Sequence, residues 1–179
     1  MKFKINSGGQ VWIETVVYTL IGLSIMAILL SISMPQIEKI KDNGIITQTI
    51  EAMNLLNSKI LEAEEYQGSI RIVNLRIAKG RLEINSTGNQ IVYNLENTRL
   101  ELTEPGEIVQ EGNIMVETKN SGDRFNIFLT LDYSNDLNIT YDRKKEMKTM
   151  QAGTTPYKII LENIGYDDLR KTKINFDVS

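Results

Sequence analysis

Cysteine and histidine are both absent from this chain. That removes disulfides, thiolate nucleophiles, imidazole bases and the common zinc sites together. It does not fix a compartment, because a chain without cysteine suits either redox environment. An excess of basic charge is missing too: 20 Lys and Arg stand against 23 Asp and Glu, for a net charge of −3. So balanced a chain has no electrostatic footprint for nucleic acid. No nucleophile–base pair, glycine-rich phosphate loop or metal-ligand spacing is present, so the chain reads as a non-enzyme without a cofactor. One further absence is local. From Thr15 to Ile37, 23 residues, there is no charge at all.

As a helix that uncharged run is about 35 Å long, at about 1.5 Å per residue. A bilayer core is about 30 Å thick, so the run is long enough to span it. It is also too long for an ordinary buried core helix. Glu14 stands alone at its mouth, five places from the pair Gly8-Gly9. A carboxylate carried to mid-membrane costs about 2–3 kcal/mol. The pattern predicts a helix anchored in a membrane that later packs against a partner for Glu14. Lys2, Lys4 and the N-terminal amine favour a cytoplasmic N-terminus. Lys39 and Lys41 lie on the far side, offset by Glu38 and Asp42.

Four zones follow one another: a leader over 1–9, an apolar helix over 10–34, a polar continuation of that helix over 35–67, and a β-rich head over 68–179. In the third zone Ile46, Ile50, Met53, Leu56 or Asn57, and Ile60 hold one helix face. Pro35 is a candidate kink and Gly68 a candidate stop. No flexible Gly/Ser or Pro linker separates helix from head. In the head, alternation marks strands at Leu82–Ile84, Ile91–Leu95, Leu100–Leu102, Phe125–Tyr133, Leu137–Tyr141 and Ile174–Val178. Turns are predicted at Thr87-Gly88-Asn89, Pro105-Gly106, Ser121-Gly122-Asp123 and Ser134-Asn135-Asp136. The apolar phase shifts from Ile70 and Ile72 to Leu75 and Ile77, which predicts a bulge near Val73 or Asn74. The expected fold is α+β: a long N-terminal transmembrane helix, then an antiparallel β-sandwich-like head. Residues 36–179, without the apolar helix, are expected to form a soluble monomer.

The leader and helix together resemble the type IV prepilin signature, over roughly the first 60 residues. Gln10 after Gly9 is similar to the archaeal class III signal peptide. The resemblance implies cleavage between Gly9 and Gln10 by a prepilin peptidase, so that Glu14 becomes the fifth mature residue. Members of the family often carry Ser and Tyr at the third and sixth mature positions, where this chain has Trp12 and Thr15. The implied function is a structural subunit of a type IV pilus-like or archaellum-related surface filament. Gln10 and Glu14 would set its register, the neighbour's amine answering the carboxylate. Implied partners are identical copies and other pilins, an assembly ATPase with its membrane platform protein, and membrane lipid. The implied location is a single-pass membrane protein with an extracellular head, and a cell-surface filament, with adhesion among its uses, after processing.

Other readings of the run stay open. It can be a plain signal anchor with Glu14 in the headgroup zone. It can also be a cleaved secretory signal with its small-residue site at Ser31-Ile32-Ser33. The alternative function is a non-polymerising, membrane-anchored binding or sensing domain.

Three smaller motifs remain. Asn85-Ser86-Thr87 and Asn138-Ile139-Thr140 fit the N-glycosylation acceptor pattern. Asp132, Ser134, Asp136 and Asn138 alternate like the start of a calcium loop. Leu137 and Arg143 stand where that loop needs Gly and Glu, so a strand end and turn are expected. Arg143, Lys144, Lys145 and Lys148 form a basic run that reads as a solvated loop.

Overall fold

The computed structural model describes the backbone over Ser7–Ser179 and the side chains over 12–179. The leader residues 1–6 lie outside the described residues. A single helix, α1, covers Ser7–Glu64 and passes through Pro35. Ten strands follow: β1 Ile70–Leu75, β2 Arg81–Asn85, β3 Gln90–Thr98, β4 Ile108–Glu111, β5 Ile114–Ser121, β6 Arg124–Asp132, β7 Leu137–Tyr141, β8 Met147–Gln151, β9 Tyr157–Tyr166 and β10 Thr172–Val178. The chain divides into two compact units, Met1–Ile40 and Lys41–Ser179.

The second unit is the head. Its strands form a four-stranded sheet, order β1-β9-β10-β7, and a six-stranded sheet, order β4-β5-β6-β3-β2-β8. The larger sheet is antiparallel throughout. In the smaller one β10 and β7 run parallel, a pairing between segments far apart in sequence. One core holds the head together. Leu82, Ile91 and Leu129 enter it from the larger sheet and Leu161, Ile174 and Phe176 from the smaller. Into the same core α1 sends Ile46, Met53, Leu56, Ile60 and Ala63. Their 3–4 spacing is the face the sequence predicts, although Ile50 is only half-buried. In the head, α1 is therefore a core element.

The far end of α1 is capped from the head. Asn163 on β9 is buried, and its amide nitrogen donates to the carbonyls of Ala63 and Glu64 at 3.0 Å each. The Ser69 hydroxyl donates to the Ala63 carbonyl as well, at 2.6 Å. These carbonyls have no partner within the helix, so a side chain must supply one. Gly68 sits beyond this end at φ 80, and its N–H donates to Asn163.

Several expectations need correction. β1 has no bulge: its register with β9 is continuous from Ile70 to Leu75. Val73 and Leu75 point inward, while Ile70 and Ile72 face solvent. Two isoleucines on the outer face mimic a phase shift. The register irregularities lie instead between β9 and β10, beside Gly165, and in β3 between Leu95 and Thr98. At the second, Asn97 adopts φ 55, which asparagine tolerates. The extra residue turns Thr98 inward. Leu100 and Leu102 are not in a strand, though both are half-buried against the core. The predicted turns at Thr87–Asn89, Gly122-Asp123 and Ser134–Asp136 are present. β5 and β6 join through the two residues Gly122 and Asp123, with Gly122 at φ 69.

Candidate functional site

The first unit, Met1–Ile40, contains the start of α1, and its described large apolar side chains are exposed. Trp12, Tyr18, Leu20, Ile25, Ile32 and Ile40 are each more than half exposed. Soluble monomers rarely expose contiguous apolar patches beyond a few hundred Å². This segment is long and apolar enough to cross a membrane, and none of that stretch is buried inside the chain. It is not a core helix. A candidate membrane-spanning helix near the N-terminus is the feature that sets this chain apart.

Two hydroxyls within the segment bond back to the helix itself. The Thr19 hydroxyl donates to the Thr15 carbonyl and the Ser24 hydroxyl to that of Leu20, both at 2.8 Å. Hydroxyls that bond back to the preceding turn need no outside partner. Gly22 lies mid-helix, and a methyl group added there would meet nothing within 4 Å. A glycine in that position costs about 1 kcal/mol relative to alanine. Packing among the described residues gives no reason for it. Glu14 has an exposed side chain at the N-terminal end of the uncharged run. Gly8, Gly9 and Gln10 lie in the first turn of α1. The side chain of Gln10 lies outside the described residues.

The head holds a polar cluster that sequence patterning missed. Asp42, which the sequence places among flanking charges, is buried. Its carboxylate accepts from the Lys79 ammonium at 2.6 Å and from the Thr98 hydroxyl at 2.6 Å. Lys79 arrives on the β1–β2 turn and Thr98 on the β3 irregularity. The Tyr93 hydroxyl donates to the Lys79 carbonyl at 2.6 Å, and burial pushes its pKa up to about 12. Gly80, at φ 78, makes that turn possible. A Cβ there would lie 2.4 Å from the Asn94 carbonyl oxygen. No signal in the sequence marks this cluster, since Asp42, Lys79 and Thr98 are 19 to 56 positions apart.

The remaining motifs resolve as follows. The Asn85 side-chain amide oxygen accepts from the Gly88 N–H across the β2–β3 turn. Asn138 is more committed: its amide nitrogen donates to Asp167 at 2.8 Å. Asp132 accepts from the Ser134 N–H and from Gln90, in a turn. Among the described residues no group of three or more Asp, Glu, His or Cys side chains is placed to hold a metal ion. In the basic run, Lys145 donates to the carbonyls of Ser86 and Ile139 and to Asn89, all within 2.9 Å. It pins the β2–β3 turn to β7, so part of this run is structural. Comparison with protein-family models, with curated proteins and with solved structures finds no match.

Proposed function

We propose that this protein is a pilin-like structural subunit. A prepilin peptidase cuts it between Gly9 and Gln10, and the apolar part of α1 then packs with copies of itself in a surface filament. The observation that carries this reading is the uncovered apolar helix, whose later turns are core elements of a β-rich head. A plain anchor needs only about 20 apolar residues and no such integration. A head built around the later turns of the same helix suits a subunit that assembles through the earlier ones. The uncovered Gly22 supports close approach of a second helix, as small residues do in apolar packing. Burying the helix among copies supplies about 25 cal/mol per Å² of apolar area.

Glu14 supplies register in this reading. In low dielectric a carboxylate is favoured next to a cation, so the favoured stagger brings a neighbour's Gln10 amine to it. The peptidase, an assembly ATPase and its membrane platform are the partners this route requires. The head faces outward, and Asn85 and Asn138 are its candidate glycosylation positions.

Intact mass and N-terminal sequencing of the native protein, with electron microscopy of cell surfaces, test the proposal. The expected chain starts at Gln10, free or cyclised, and filaments contain it. Glu14→Gln is expected to keep membrane insertion and processing and to lose most filaments. A chain that starts at Met1 or at Met34 overturns the cleavage. Full assembly by Glu14→Gln with a free Gln10 amine overturns the register role. Correct processing with no filaments under any condition favours the anchored binding domain.

A further inference from the structure

The larger sheet ends in two strands that have a neighbour on one side only, β4 and β8. All four residues of β4 are exposed, and β8 exposes Met147, Thr149 and Gln151. A bare edge is a template for another strand. Three properties of these two edges match each other.

The first is charge. Residues 104–111 contain Glu104, Glu107 and Glu111 and no cation. Residues 143–148 contain Arg143, Lys144, Lys145 and Lys148 against Glu146 alone. Lys145 is bonded within the chain; Lys148 lies on β8 itself, half-buried, with its ammonium 5.3 Å from the centre of the Tyr141 ring, so the contact draws on a cation that already has an aromatic neighbour. Edges guarded only against aggregation can carry the same sign. Here like edges repel and unlike edges attract.

The second is direction. Every neighbouring pair in the sheet is antiparallel, and the strand number is six. An even number makes β4 and β8 run in opposite directions. A second copy, shifted and twisted along the same sheet, therefore offers its β4 antiparallel to β8 of the first. The junction repeats the sheet's own rule.

The third is face. Val109 and Glu111 pair with Val116 and Ile114, which are buried, so they lie on the inner face. On β8, Lys148 and Met150 pair with Ile84 and Leu82, also buried. Setting Glu111 opposite Lys148 puts Val109 opposite Met150, inner face to inner face. A slip of one residue would break that match.

We propose that β4 of one copy adds antiparallel to β8 of the next, with Glu111 opposite Lys148 and Gln110 opposite Thr149. This deepens the polymer reading, on which it rests, by naming the contact between heads. The contact is head to tail, so it does not close into a dimer. Four residues pair weakly alone, and the contact forms where the helices already hold copies side by side.

The test uses the full chain in its native membrane. The chain has no thiol of its own. Gln110→Cys and Thr149→Cys are combined in one variant and also made singly. Within one copy these positions are five strand spacings apart, about 24 Å, too far for a disulfide. Mild oxidation is expected to give a ladder of multimers from the double variant and no cross-link from either single one. In the double background, Glu111→Lys is expected to weaken the ladder several-fold, and added Lys148→Glu to restore it. A dimer from either single variant means like-edge pairing and overturns the proposal. Filaments without a ladder overturn it and leave the polymer reading intact. A ladder without filaments supports the edge pairing and removes the polymer reading. Neither ladder nor filaments overturns both.

Discussion

Asp42 has two bonding partners and almost no water, and it is the one charged residue buried among the described residues. Its side chain is 5% exposed, while that of Lys79 is 41% exposed. Asp42→Ala therefore leaves the buried Thr98 hydroxyl proton without an acceptor, while its oxygen keeps the Leu100 N–H, and lets the ammonium return to solvent. Breaking a fully buried pair costs more than this, because the stranded charge then stays dry. The expected loss is about 1–3 kcal/mol, set mainly by the orphaned buried partner. Thermal unfolding of the full chain in detergent should show a midpoint several degrees lower. An unchanged midpoint would mean that the cluster contributes nothing net.

Strands here are positioned by polar joints as much as by alternation. Asp167 leads the β9–β10 turn. The Asn138 side chain, then the N–H groups of Lys171 and Leu169, hold its carboxyl below the usual range. The sign follows from the direction of the shift. A depressed folded pKa means stability that is present above the unfolded value, about 3.9 for aspartate. It is lost as pH falls through the lower folded value. Amide exchange at Leu169 and Lys171 is expected to speed up below about pH 4, beyond the intrinsic trend. Asp167→Asn should already exchange fast at neutral pH and show little further change. Equal exchange in both proteins at pH 7 would remove the joint from the account. The parallel β7–β10 pair depends on this region, because Asn138 ties β7 to the turn before β10.

At the scale of the whole molecule the two units answer to different surroundings. The described large apolar residues of the first unit are exposed, whereas the second has its own core. Residues 41–179, which keep the core face of α1, are expected to be soluble, folded and monomeric at micromolar concentration. Circular dichroism with sedimentation checks this. An unfolded product would show that the earlier turns of α1 are needed for the head. A stable oligomer at low concentration would mean that the edge contact does not depend on the helix array.

Sequence alone determined the apolar run, the isolation of Glu14, the core face of α1 and the tight turns. Each is written in a local period or in a short string whose physics needs no distant partner. The strand Phe125–Tyr133 was legible for the same reason: its alternation is unbroken. β9 was not, because Ile159 and Ile160 are adjacent and Asn163 and Gly165 interrupt the inward side. Those two residues serve the end of α1 and a chain irregularity instead of the core pattern. Tertiary structure decided that Asp42 is buried and that Ile70 and Ile72 are not. It also decided the pairing of β10 with β7 and which strands form the sheet edges. Such choices depend on which segments meet across tens of residues, and loop closure costs only about 0.6 kcal/mol per doubling of length. Many pairings are therefore close in cost. Burial of the shared core, which no local pattern encodes, selects among them.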